Sequence, residues 1–348
     1  MIDGKSVAVV VPAYRVEREI ARVITEMPAF VDRIIVVDDA SPDATAEVVG
    51  AIREPRLQLI RHAKNQGVGG AVATGFQAAL EGASDLVVKC DGDGQMDPRD
   101  VGALIRPLLA GRAEYAKGCR FHHFRDLASM PRIRLGGNIA LTFLTKLASG
   151  YWHVLDPQNG FLAIRADVLR RLPLGRLARG YFFENDMLIR LNALEARVAD
   201  VPIPSRYGEE TSSLRPGRAM LEFPLRLVAG FFRRVFWRYL FYDVSPVALF
   251  VITGAVLFLF GTLFGAYYWV RNATRNVATP TGTVILAAMP IILGFQLLLQ
   301  GLVLDVQNSP RAAPVGKEDA GGSTLDGDRE AGEKTPHRAT DGGMEPRN

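Results

Sequence analysis

Two aspartates and a glutamine alternate directly after an apolar run, in the segment KCDGDGQMDP at residues 89–98. Acidic side chains at the end of a buried strand are costly unless they bind a cation or a substrate. If the strand continues through the segment, Asp91, Asp93 and Gln95 point to the same side. Such oxygen ligands suit Mg²⁺ or Mn²⁺ bound with a diphosphate, because these ions keep few protein ligands and take the rest from phosphate and water. The pattern therefore predicts a metal and diphosphate site.

The same segment also fits an acidic turn in which Asp91 or Asp97 only caps the helix that begins near Pro98. For Asp97 we favour this capping interpretation, since the proline follows it directly. For Asp91 and Asp93 we favour metal binding.

A second pair of carboxylates, Asp38 and Asp39, closes the apolar run of IIVVDDASPDAT. A carboxylate at a strand end can accept hydrogen bonds from a ribose or a base edge, whereas Ser41 or Asp43 can cap the following helix. Asp39 is predicted to contact the nucleotide. For Asp38, contact and capping are left open.

The segment NQGVGGAVATG, residues 65–75, is rich in glycine. It lacks the Lys-Ser/Thr pair of a P-loop, and its spacing differs from that of a dinucleotide fingerprint. It could equally form the tight start of a helix packed on the sheet.

Up to about residue 210, short apolar runs alternate with amphipathic stretches, as in SVAVVVP, REIARVITEM and VDRIIVVDD. This alternation is typical of β-α-β units around a mostly parallel sheet, so the predicted fold class is α/β. In such folds the functional residues lie at the carboxyl ends of the strands.

Composition limits the classes of function. A chain of 348 residues, 48% of them hydrophobic, can bury a full core and suits about two domains. The formal net charge of +4 is too small to argue for a nucleic-acid partner. Cys90 and Cys119 have no metal-ligand spacing, so we expect reduced thiols in a cytosolic domain. The start of the chain lacks the layout of a signal peptide, and the N-terminal part is expected to stay in the cytoplasm.

Two long spans without charge occupy about residues 246–270 and 281–304. Each exceeds the ~20 residues that a helix needs to cross a bilayer, so they predict a transmembrane hairpin rather than two buried helices of a soluble protein. The preceding stretch LRLVAGFFRRVFWRYLFYD mixes Arg with aromatic residues at helical spacing. It predicts a helix in the membrane interface whose arginines reach toward lipid headgroups.

Positive charge is concentrated on one side of these spans. Four arginines approach the first span, namely Arg226, Arg233, Arg234 and Arg238, whereas the connecting loop carries only two. The positive-inside rule therefore predicts a cytoplasmic large domain. From Asn308 onward the chain is rich in Gly, Pro and charge, which predicts disorder. The predicted units are a catalytic domain (1–212), interfacial helices (213–243), the two-helix hairpin (244–306) and a cytoplasmic tail (307–348).

Six segments in a fixed order carry a family resemblance: VVVPAYRVEREI, VVDDASPDAT, NQGVGGAVATGF, DGDGQMDP, DPQNGF and FFENDM. Together they resemble the family 2 glycosyltransferases of GT-A fold, which have a Rossmann-like sheet, over roughly residues 5–212. The resemblance implies a nucleotide-sugar donor and Mg²⁺ or Mn²⁺. It places the metal and the diphosphate at Asp91, Asp93 and Gln95.

For the nucleoside, the resemblance implies contacts from Pro12, Tyr14 and Asp39. For Pro12 and Tyr14, a strand-terminating turn with a packed ring is the structural alternative, and it is compatible with contact.

The membrane part selects a branch of the family. A catalytic domain followed by interfacial helices and two spans resembles the polyprenyl-phosphate glycosyltransferases, which include dolichol-phosphate mannose synthases and undecaprenyl-phosphate glucosyltransferases. This branch implies a lipid phosphate as acceptor. Processive polysaccharide synthases are disfavoured, because they carry more spans and a Gln-Xaa-Xaa-Arg-Trp motif that is absent around Trp237.

Arginines suit a phosphate acceptor, since a guanidinium binds phosphate with two parallel hydrogen bonds. Arg120 and Arg134 match arginines that this branch uses on the acceptor phosphate, with a surface ion pair as the alternative. By the same resemblance, Asp156 of DPQNGF orients the substrates, and a role as general base is left open.

The remaining site predictions also come from the resemblance. Glu184 and Asp186 of FFENDM are predicted contacts of the sugar or acceptor, and helix capping is a serious alternative for Asp186. Arg206 and Ser212, in the stretch SRYGEETSSLRP, are predicted diphosphate contacts.

The sequence thus predicts an inverting, metal-dependent transfer of a hexose from UDP-glucose or GDP-mannose to undecaprenyl phosphate. The expected location is the cytoplasmic face of the plasma membrane, with several spans and no nucleic-acid partner. The resemblance also makes a homo-oligomer plausible. The alternatives are a processive synthase and a non-catalytic membrane scaffold that retains the domain.

Overall fold

The computed structural model describes residues 1–120, 132–204, 216–241 and 245–313, with side chains except at 132–139 and 216–221. Its strands are β1 (Val7–Ala13), β2 (Arg33–Asp38), β3 (Leu57–Arg61), β4 (Leu86–Lys89), β5 (Tyr115–Cys119), β6 (Leu162–Arg165) and β7 (Val198–Pro202). Its α-helices are α1 (Ile20–Thr25), α2 (Thr45–Ala51), α3 (Val68–Glu81), α4 (Val101–Leu109), α5 (Arg132–Ser149), α6 (Ala166–Leu169), α7 (Phe183–Ala193), α8 (Pro216–Phe236), α9 (Pro246–Thr274) and α10 (Thr281–Gln307).

The seven strands form one sheet in the order β3-β2-β1-β4-β6-β5-β7. All neighbouring pairs are parallel except those of β6, which runs antiparallel to β4 and β5. The alternation of apolar runs and helices predicted the parallel half. The mostly parallel α/β fold is confirmed.

Alternate residues of the central strands pack on opposite faces of the sheet, as the period of two requires. On one face, Val10 and Val37 pack with Phe76 of α3. On the other, Val9 and Ile34 belong to a separate core with residues of α1 and α4. Because both faces are covered by helices, the strands read as continuous apolar runs.

The helix α8 and the π-helical turn Trp237–Phe241 follow the sheet domain. Leu225, Phe232 and Phe241 expose more than half of their surface, and the interfacial location of this helix stays a prediction. The prediction for the arginines was wrong in part. Arg234 and Arg238 do not extend outward but are buried against the protein, because each finds oxygen acceptors there.

The two apolar helices α9 and α10 form an antiparallel hairpin, and both are long and apolar enough to cross a membrane. Glycines allow their backbones to approach closely. A Cβ atom on Gly294 would lie 2.5 Å from the backbone nitrogen of Phe258, and one on Gly254 would lie 2.9 Å from the carbonyl oxygen of Gly294. Larger residues at these positions would separate the helices.

The second helix extends three residues beyond the predicted span and thereby includes Asp305. We call Trp152, Arg234, Tyr239 and Asp305 the junction cluster. Arg234 donates from both terminal nitrogens to the Asp305 carboxylate, at 2.6 and 2.9 Å. Tyr239 and Trp152 donate to the same carboxylate, at 2.7 and 3.3 Å. The cluster joins α8 and the end of the hairpin to the sheet domain.

The chain then returns to the sheet domain after the hairpin. The Asn308 carbonyl accepts a hydrogen bond from Arg238 at 2.7 Å. Further on, Arg311 forms a parallel bridge with Val198 of the edge strand β7, and Ala313 donates its amide to a carbonyl of the sheet domain at 3.0 Å. We call residues 308–313 the return segment. The disorder predicted from Asn308 onward was therefore wrong for residues 308–313, because these contacts hold them against the sheet domain. The rest of the predicted tail lies outside the described residues.

Candidate active site

The carboxyl ends of β1, β2 and β4 meet at one edge of the sheet, because these strands are parallel neighbours. Asp39, Asp91 and Asp93 follow directly on those strands. These three predicted site residues therefore lie at one edge of the sheet, as expected for an open α/β sheet.

The acidic segment after β4 is a turn rather than a continued strand. β4 ends at Lys89, and Gly94 has a positive φ of 74°, a conformation that glycine adopts at little cost. The argument from strand alternation was therefore wrong for Asp93 and Gln95. The Gln95 amide donates to Asp93 Oδ1 at 3.0 Å, and the Gln95 side chain is exposed.

The donor set fits a divalent cation held jointly with phosphate. Asp91 and Asp93 are two hard carboxylates, two residues apart on one turn and only partly buried. Among the residues that the structure describes, no three His, Cys, Asp or Glu side chains converge on one metal-sized site. A cation here would need oxygens from the ligand, which is the usual arrangement of Mg²⁺ with nucleotides.

Asp97 is the helix cap that the sequence predicted. Its carboxylate accepts from the Arg99 amide at 3.0 Å and forms an ion pair with the Arg99 side chain at 2.9 Å. It begins the 3₁₀ turn Pro98–Asp100, which leads into α4.

A fully buried lysine supports the first carboxylate. Lys89 Nζ lies 2.7 Å from Asp91 Oδ1 and 3.6 Å from Glu184 Oε1, and it donates to the Gly160 carbonyl at 3.1 Å. Burial alone would lower the Lys89 pKa, but the carboxylates of Asp91 and Glu184 raise it above the usual value. Lys89 is therefore a cation, and it joins β4, α7 and the DPQNGF segment.

The DPQNGF segment carries the pair predicted for the acceptor. Arg120 Nε donates to Asp156 Oδ2 at 2.8 Å, and Arg120 Nη2 donates to Asp156 Oδ1 at 3.3 Å. Asp156 is buried, whereas the Arg120 side chain is 41% exposed. The structure thus brings together two predicted residues that lie 36 positions apart in the sequence.

A second buried lysine, Lys117, contacts the DPQNGF segment. Lys117 Nζ donates to the Asn159 carbonyl, and the Asn159 side chain accepts from the Phe161 amide at 2.9 Å. Burial lowers the Lys117 pKa to about 8, against the opposing effect of Glu184 and Asp156. We call Lys89, Asp91, Lys117, Asp156 and Glu184 the sheet-edge cluster.

Asp200 lies beside Lys117 in the register of β5 and β7. Burial raises the pKa of its carboxyl to about 6, although its Oδ2 accepts from the Leu155 amide at 2.6 Å. Burial also raises the pKa of Cys90, which with Cys119 is a free thiol, as predicted.

Asp39 already has hydrogen-bond partners within the protein. Its Oδ1 lies 2.7 Å from His62 Nδ1 and accepts from the Gln66 amide at 2.8 Å, while its Oδ2 accepts from the Gly67 amide at 2.8 Å. Because each carboxylate oxygen has two lone pairs, one acceptor position on Oδ2 is left for a ligand. The sequence had not indicated His62, whose Nε2 lies 2.9 Å from the Thr74 hydroxyl.

The glycine-rich segment starts a helix packed on the protein, the second of the two interpretations given for it. α3 begins at Val68, and the Gly69 amide donates to the Arg179 carbonyl at 2.7 Å. A Cβ atom on Gly69 would lie 2.0 Å from the Ala178 carbonyl oxygen, so only glycine fits.

Pro12 and Tyr14 stand at the end of β1. Pro12 is buried, and its carbonyl accepts from the Gly92 amide at 3.3 Å, which fixes the start of the acidic turn. The Tyr14 ring is 44% exposed, and the Arg15 guanidinium lies 5.4 Å from its centroid. Both positions are compatible with the predicted nucleoside contact, which stays a prediction.

The structure separates Glu184 from Asp186. Glu184 faces Lys89, whereas Asp186 accepts from the Ala178 amide at 3.1 Å and from Arg190 at 2.9 Å. Asp186 is also paired with Arg233 of α8. These partners give Asp186 a structural role between α7 and α8, although its predicted substrate contact is untested.

Three predicted residues cannot be placed. The side chain of Arg134, on α5, and the whole of Arg206 and Ser212 lie outside the described part of the chain.

The most informative residues missed by the sequence analysis are Lys89, Lys117 and Asp305. Each had a signal: a charge within an apolar run, in DLVVKC, YAKGC and GLVLDVQ. Their partners could not be found from the sequence. Lys89 and Gly160 lie 71 residues apart, as do Arg234 and Asp305.

Comparisons with known proteins indicate one family for this chain. The model of glycosyl transferase family 2 matches residues 8–172. A UDP-N-acetylglucosamine–dolichyl-phosphate N-acetylglucosaminyltransferase of Methanococcus voltae is 30% identical over 236 residues, which is 64% of this chain and 93% of that protein. An undecaprenyl-phosphate mannosyltransferase of Micrococcus luteus is 31% identical over 173 residues, or 49% of this chain and 70% of the relative.

Among solved structures, glucosyl-3-phosphoglycerate synthase from Mycobacterium tuberculosis, in complex with Mn²⁺, UDP-glucose and phosphoglyceric acid, has a TM-score of 0.50 and 26% identity. The match covers 66% of this chain and 80% of that one. The predicted resemblance is confirmed: this chain is a glycosyltransferase and belongs to glycosyl transferase family 2.

Proposed function

We propose that this protein transfers a hexose from a nucleotide diphosphate sugar to a polyprenyl phosphate, with inversion and with the help of Mg²⁺ or Mn²⁺. The observation that carries the proposal is the layout of the sheet edge. Asp91 and Asp93 suit a cation that would hold the donor diphosphate, and Arg120, oriented by Asp156, suits an anionic acceptor. Lys89 contacts both Asp91 and the segment that holds Asp156.

On the donor side, Asp91 and Asp93 would hold the cation, and Gln95 stands on the same turn. A bound divalent ion neutralises the charge that develops on the departing diphosphate. Pro12, Tyr14 and the open acceptor position of Asp39 would bind the nucleoside. The structure of glucosyl-3-phosphoglycerate synthase, which has a similar fold and contains Mn²⁺ and UDP-glucose, supports this assignment.

On the acceptor side, the nucleophile is a phosphate oxygen that is already anionic at neutral pH, so it needs little help from a general base. Asp156 is paired with Arg120, which favours the orienting role that we assign to it. Arg120 keeps part of its guanidinium exposed and would bind the acceptor phosphate. Glu184 would contact the sugar. Catalysis then rests on positioning and on electrostatic stabilisation.

The lipid acceptor is supported by the membrane part and by the relatives named for dolichyl and undecaprenyl phosphates. An apolar groove of about 400 Å³ lies between α8 and the hairpin, with Phe231, Val251 and Leu302 among its lining residues. It would accommodate part of a prenyl chain. We place the catalytic domain on the cytoplasmic side of the plasma membrane, following the positive-inside rule.

The proposal is tested with membranes from cells that overproduce the protein, supplied with Mg²⁺ and undecaprenyl phosphate. Radiolabelled UDP-glucose and GDP-mannose are added separately. We expect label from one donor in an organic-extractable product that mild acid releases. Membranes without the overproduced protein are the control. No labelled lipid from either donor, nor from a wider panel of nucleotide sugars, would contradict the proposal and favour a non-catalytic scaffold.

A further inference from the structure

Two buried lysines lie in one row across the sheet beneath the candidate active site. Lys89 of β4 and Lys117 of β5 are both paired with Leu162 of β6, which runs between them. Residues paired directly across a sheet share a face, so both side chains leave the sheet on the same side. Both are 0% exposed. Buried ammonium groups are costly, and they persist only where specific partners hold them.

The two ammonium groups bind consecutive carbonyls of one segment. Lys117 donates to the Asn159 carbonyl, and Lys89 donates to the Gly160 carbonyl at 3.1 Å. The contact at Gly160 is tight. A Cβ atom there would lie 2.5 Å from Lys89 Nζ and 2.8 Å from Asp91 Oδ2. The segment that carries Asp156 is thus fixed directly onto the lysine row.

Each lysine is connected to a different substrate side. Lys89 reaches the donor side directly, because its ammonium lies 2.7 Å from Asp91 Oδ1. Lys117 reaches the acceptor side through Asn159, whose amide donates to the Asp156 carbonyl at 3.3 Å. Asp156 in turn pairs with Arg120 at 2.8 Å.

We propose that Lys89 and Lys117 are positioning residues for the transfer, Lys89 for the metal carboxylate Asp91 and Lys117 for the Arg120–Asp156 pair. This inference rests on the proposed function for its names of donor and acceptor. Through Asn159 and Gly160, the two lysines set the distance between donor and acceptor groups. Apolar residues at positions 89 and 117 would fill the same space but would fix neither Asp91 nor the Arg120–Asp156 pair.

The donor half is tested with Lys89→Met in the full-length protein in detergent. Binding of Mn²⁺ together with UDP, and in parallel with GDP, is measured calorimetrically without turnover. Loss of the group that orients a metal carboxylate should weaken this binding by about tenfold or more. The KM for the nucleotide sugar should rise, with the KM for the lipid phosphate nearly unchanged. Unchanged binding would overturn the inference. So would tighter binding, because it would show that Lys89 only repels the cation.

The acceptor half is tested with Lys117→Met. We expect the KM for polyprenyl phosphate to rise about tenfold while Mn²⁺ and UDP binding stays near that of the wild type. Farnesyl phosphate, a short soluble analogue, gives a binding readout without turnover, and its affinity should fall in parallel. An equal loss on both substrate sides would contradict the division of roles.

Lys146→Met is the matched control, since Lys146 also donates to a backbone carbonyl, that of Trp152 at 3.0 Å. It lies outside the lysine row, so both KM values should remain. If Lys89→Met fails to fold, Gly160→Ala keeps the Lys89 charge but displaces Lys89 and Asp91, and it should weaken Mn²⁺ binding. Unchanged Mn²⁺ binding in a folded Gly160→Ala protein would count against the inference.

Failure of the proposed function gives a different pattern from failure of this inference. If no donor yields a labelled lipid with the wild-type protein, the proposed function falls, whereas Mn²⁺ and nucleotide binding by Lys89→Met still decides the role of Lys89. If the wild type transfers sugar and the lysine variants match it, only the inference falls.

Discussion

Two of the buried charge clusters, the junction cluster and the sheet-edge cluster, differ in how completely their polar groups are satisfied by the protein. In the junction cluster, the Asp305 carboxylate accepts four hydrogen bonds, from Arg234, Tyr239 and Trp152. In the sheet-edge cluster, Asp91 and Glu184 share one lysine, and Asp91 is still partly exposed. One cluster is saturated by the protein, and the other retains acceptor capacity.

This difference separates architecture from chemistry. A buried ion pair with every partner in place can only hold elements together, because a ligand would have to displace one of them. Carboxylates that keep unused lone pairs at the carboxyl end of a strand, such as Asp91, attract a cation or a hydrogen-bond donor of a ligand. The comparison predicts that variants of the sheet-edge cluster lose activity, while variants of the junction cluster lose stability.

The largest effect is expected for Asp93→Ala, on the same turn as Asp91 of the sheet-edge cluster. Removal of this proposed metal carboxylate should lower turnover by about 1,000-fold or more, since a catalytic cation would contribute several kcal/mol to the stabilisation of the transition state. The labelled-lipid assay measures turnover, and thermal unfolding in detergent should give an unchanged Tm. Activity within about threefold of the wild type would remove the metal assignment.

Arg234→Met should show the opposite pattern. Removing one partner of a buried ion pair leaves Asp305 uncompensated and typically costs about 3–5 kcal/mol of folding free energy. Thermal unfolding should report a much lower Tm, while the activity of the folded fraction is retained. The double change Arg234→Met with Asp305→Leu should recover part of the Tm. A stable single variant with poor turnover would reverse the distinction between the two clusters.

Asp200→Asn sharpens the comparison through pH. In the folded protein, burial raises the pKa of the Asp200 carboxyl to about 6, from its ordinary value of 3.8. Native Asp200 therefore binds more protons than the unfolded chain between these values, so its contribution to stability is lost as the pH rises through about 6. Relative to the wild type, the variant should gain about 2 kcal/mol between pH 4.5 and 7.5. A constant difference in Tm across this range would contradict the burial effect.

The smallest effect is expected for Asp97→Ala, four residues from Asp93 on the same acidic turn. Asp97 caps the turn before α4, so its loss should cost about 1 kcal/mol of stability and leave turnover nearly intact. Comparing the Tm and turnover of this variant with those of Asp93→Ala distinguishes a capping carboxylate from a catalytic one. A turnover loss as large as that of Asp93→Ala would place Asp97 in the site.

The fold was predictable where local pattern decides it. Alternating apolar runs indicated β1 to β4, and unbroken hydropathy located both hairpin helices. The antiparallel β6 was not foreseen, because strand direction depends on pairing between distant segments. The extension of α10 to Asp305 was missed for a related reason. Composition ends the apolar span at this charge, whereas the helix continues past it and Asp305 is buried against Arg234.

For the site, sequence motifs identified residues but not their partners. Asp91 and Asp156 were assigned from their motifs, whereas the two lysines that support them lie inside apolar strands. The interfacial arginines show the same limit. Helical spacing indicated a helical stretch for Arg234 and Arg238, which lie on α8 and on the π-helical turn after it. The choice between lipid headgroups and protein oxygens, however, depends on tertiary contacts.

The return segment has a consequence for how the enzyme would work at a membrane. Both ends of the hairpin are fixed to the sheet domain, one through α8 and the other through residues 308–313. Under the proposed topology, these two attachments restrict the motion of the sheet domain relative to the hairpin. The active site would then stay at a nearly constant height above the bilayer. A lipid whose phosphate protrudes to that height is presented correctly, whereas a freely diffusing phosphate gains nothing from this arrangement. Selection of a membrane-borne acceptor would then follow from the height of the active site above the bilayer as well as from the contacts made to the phosphate.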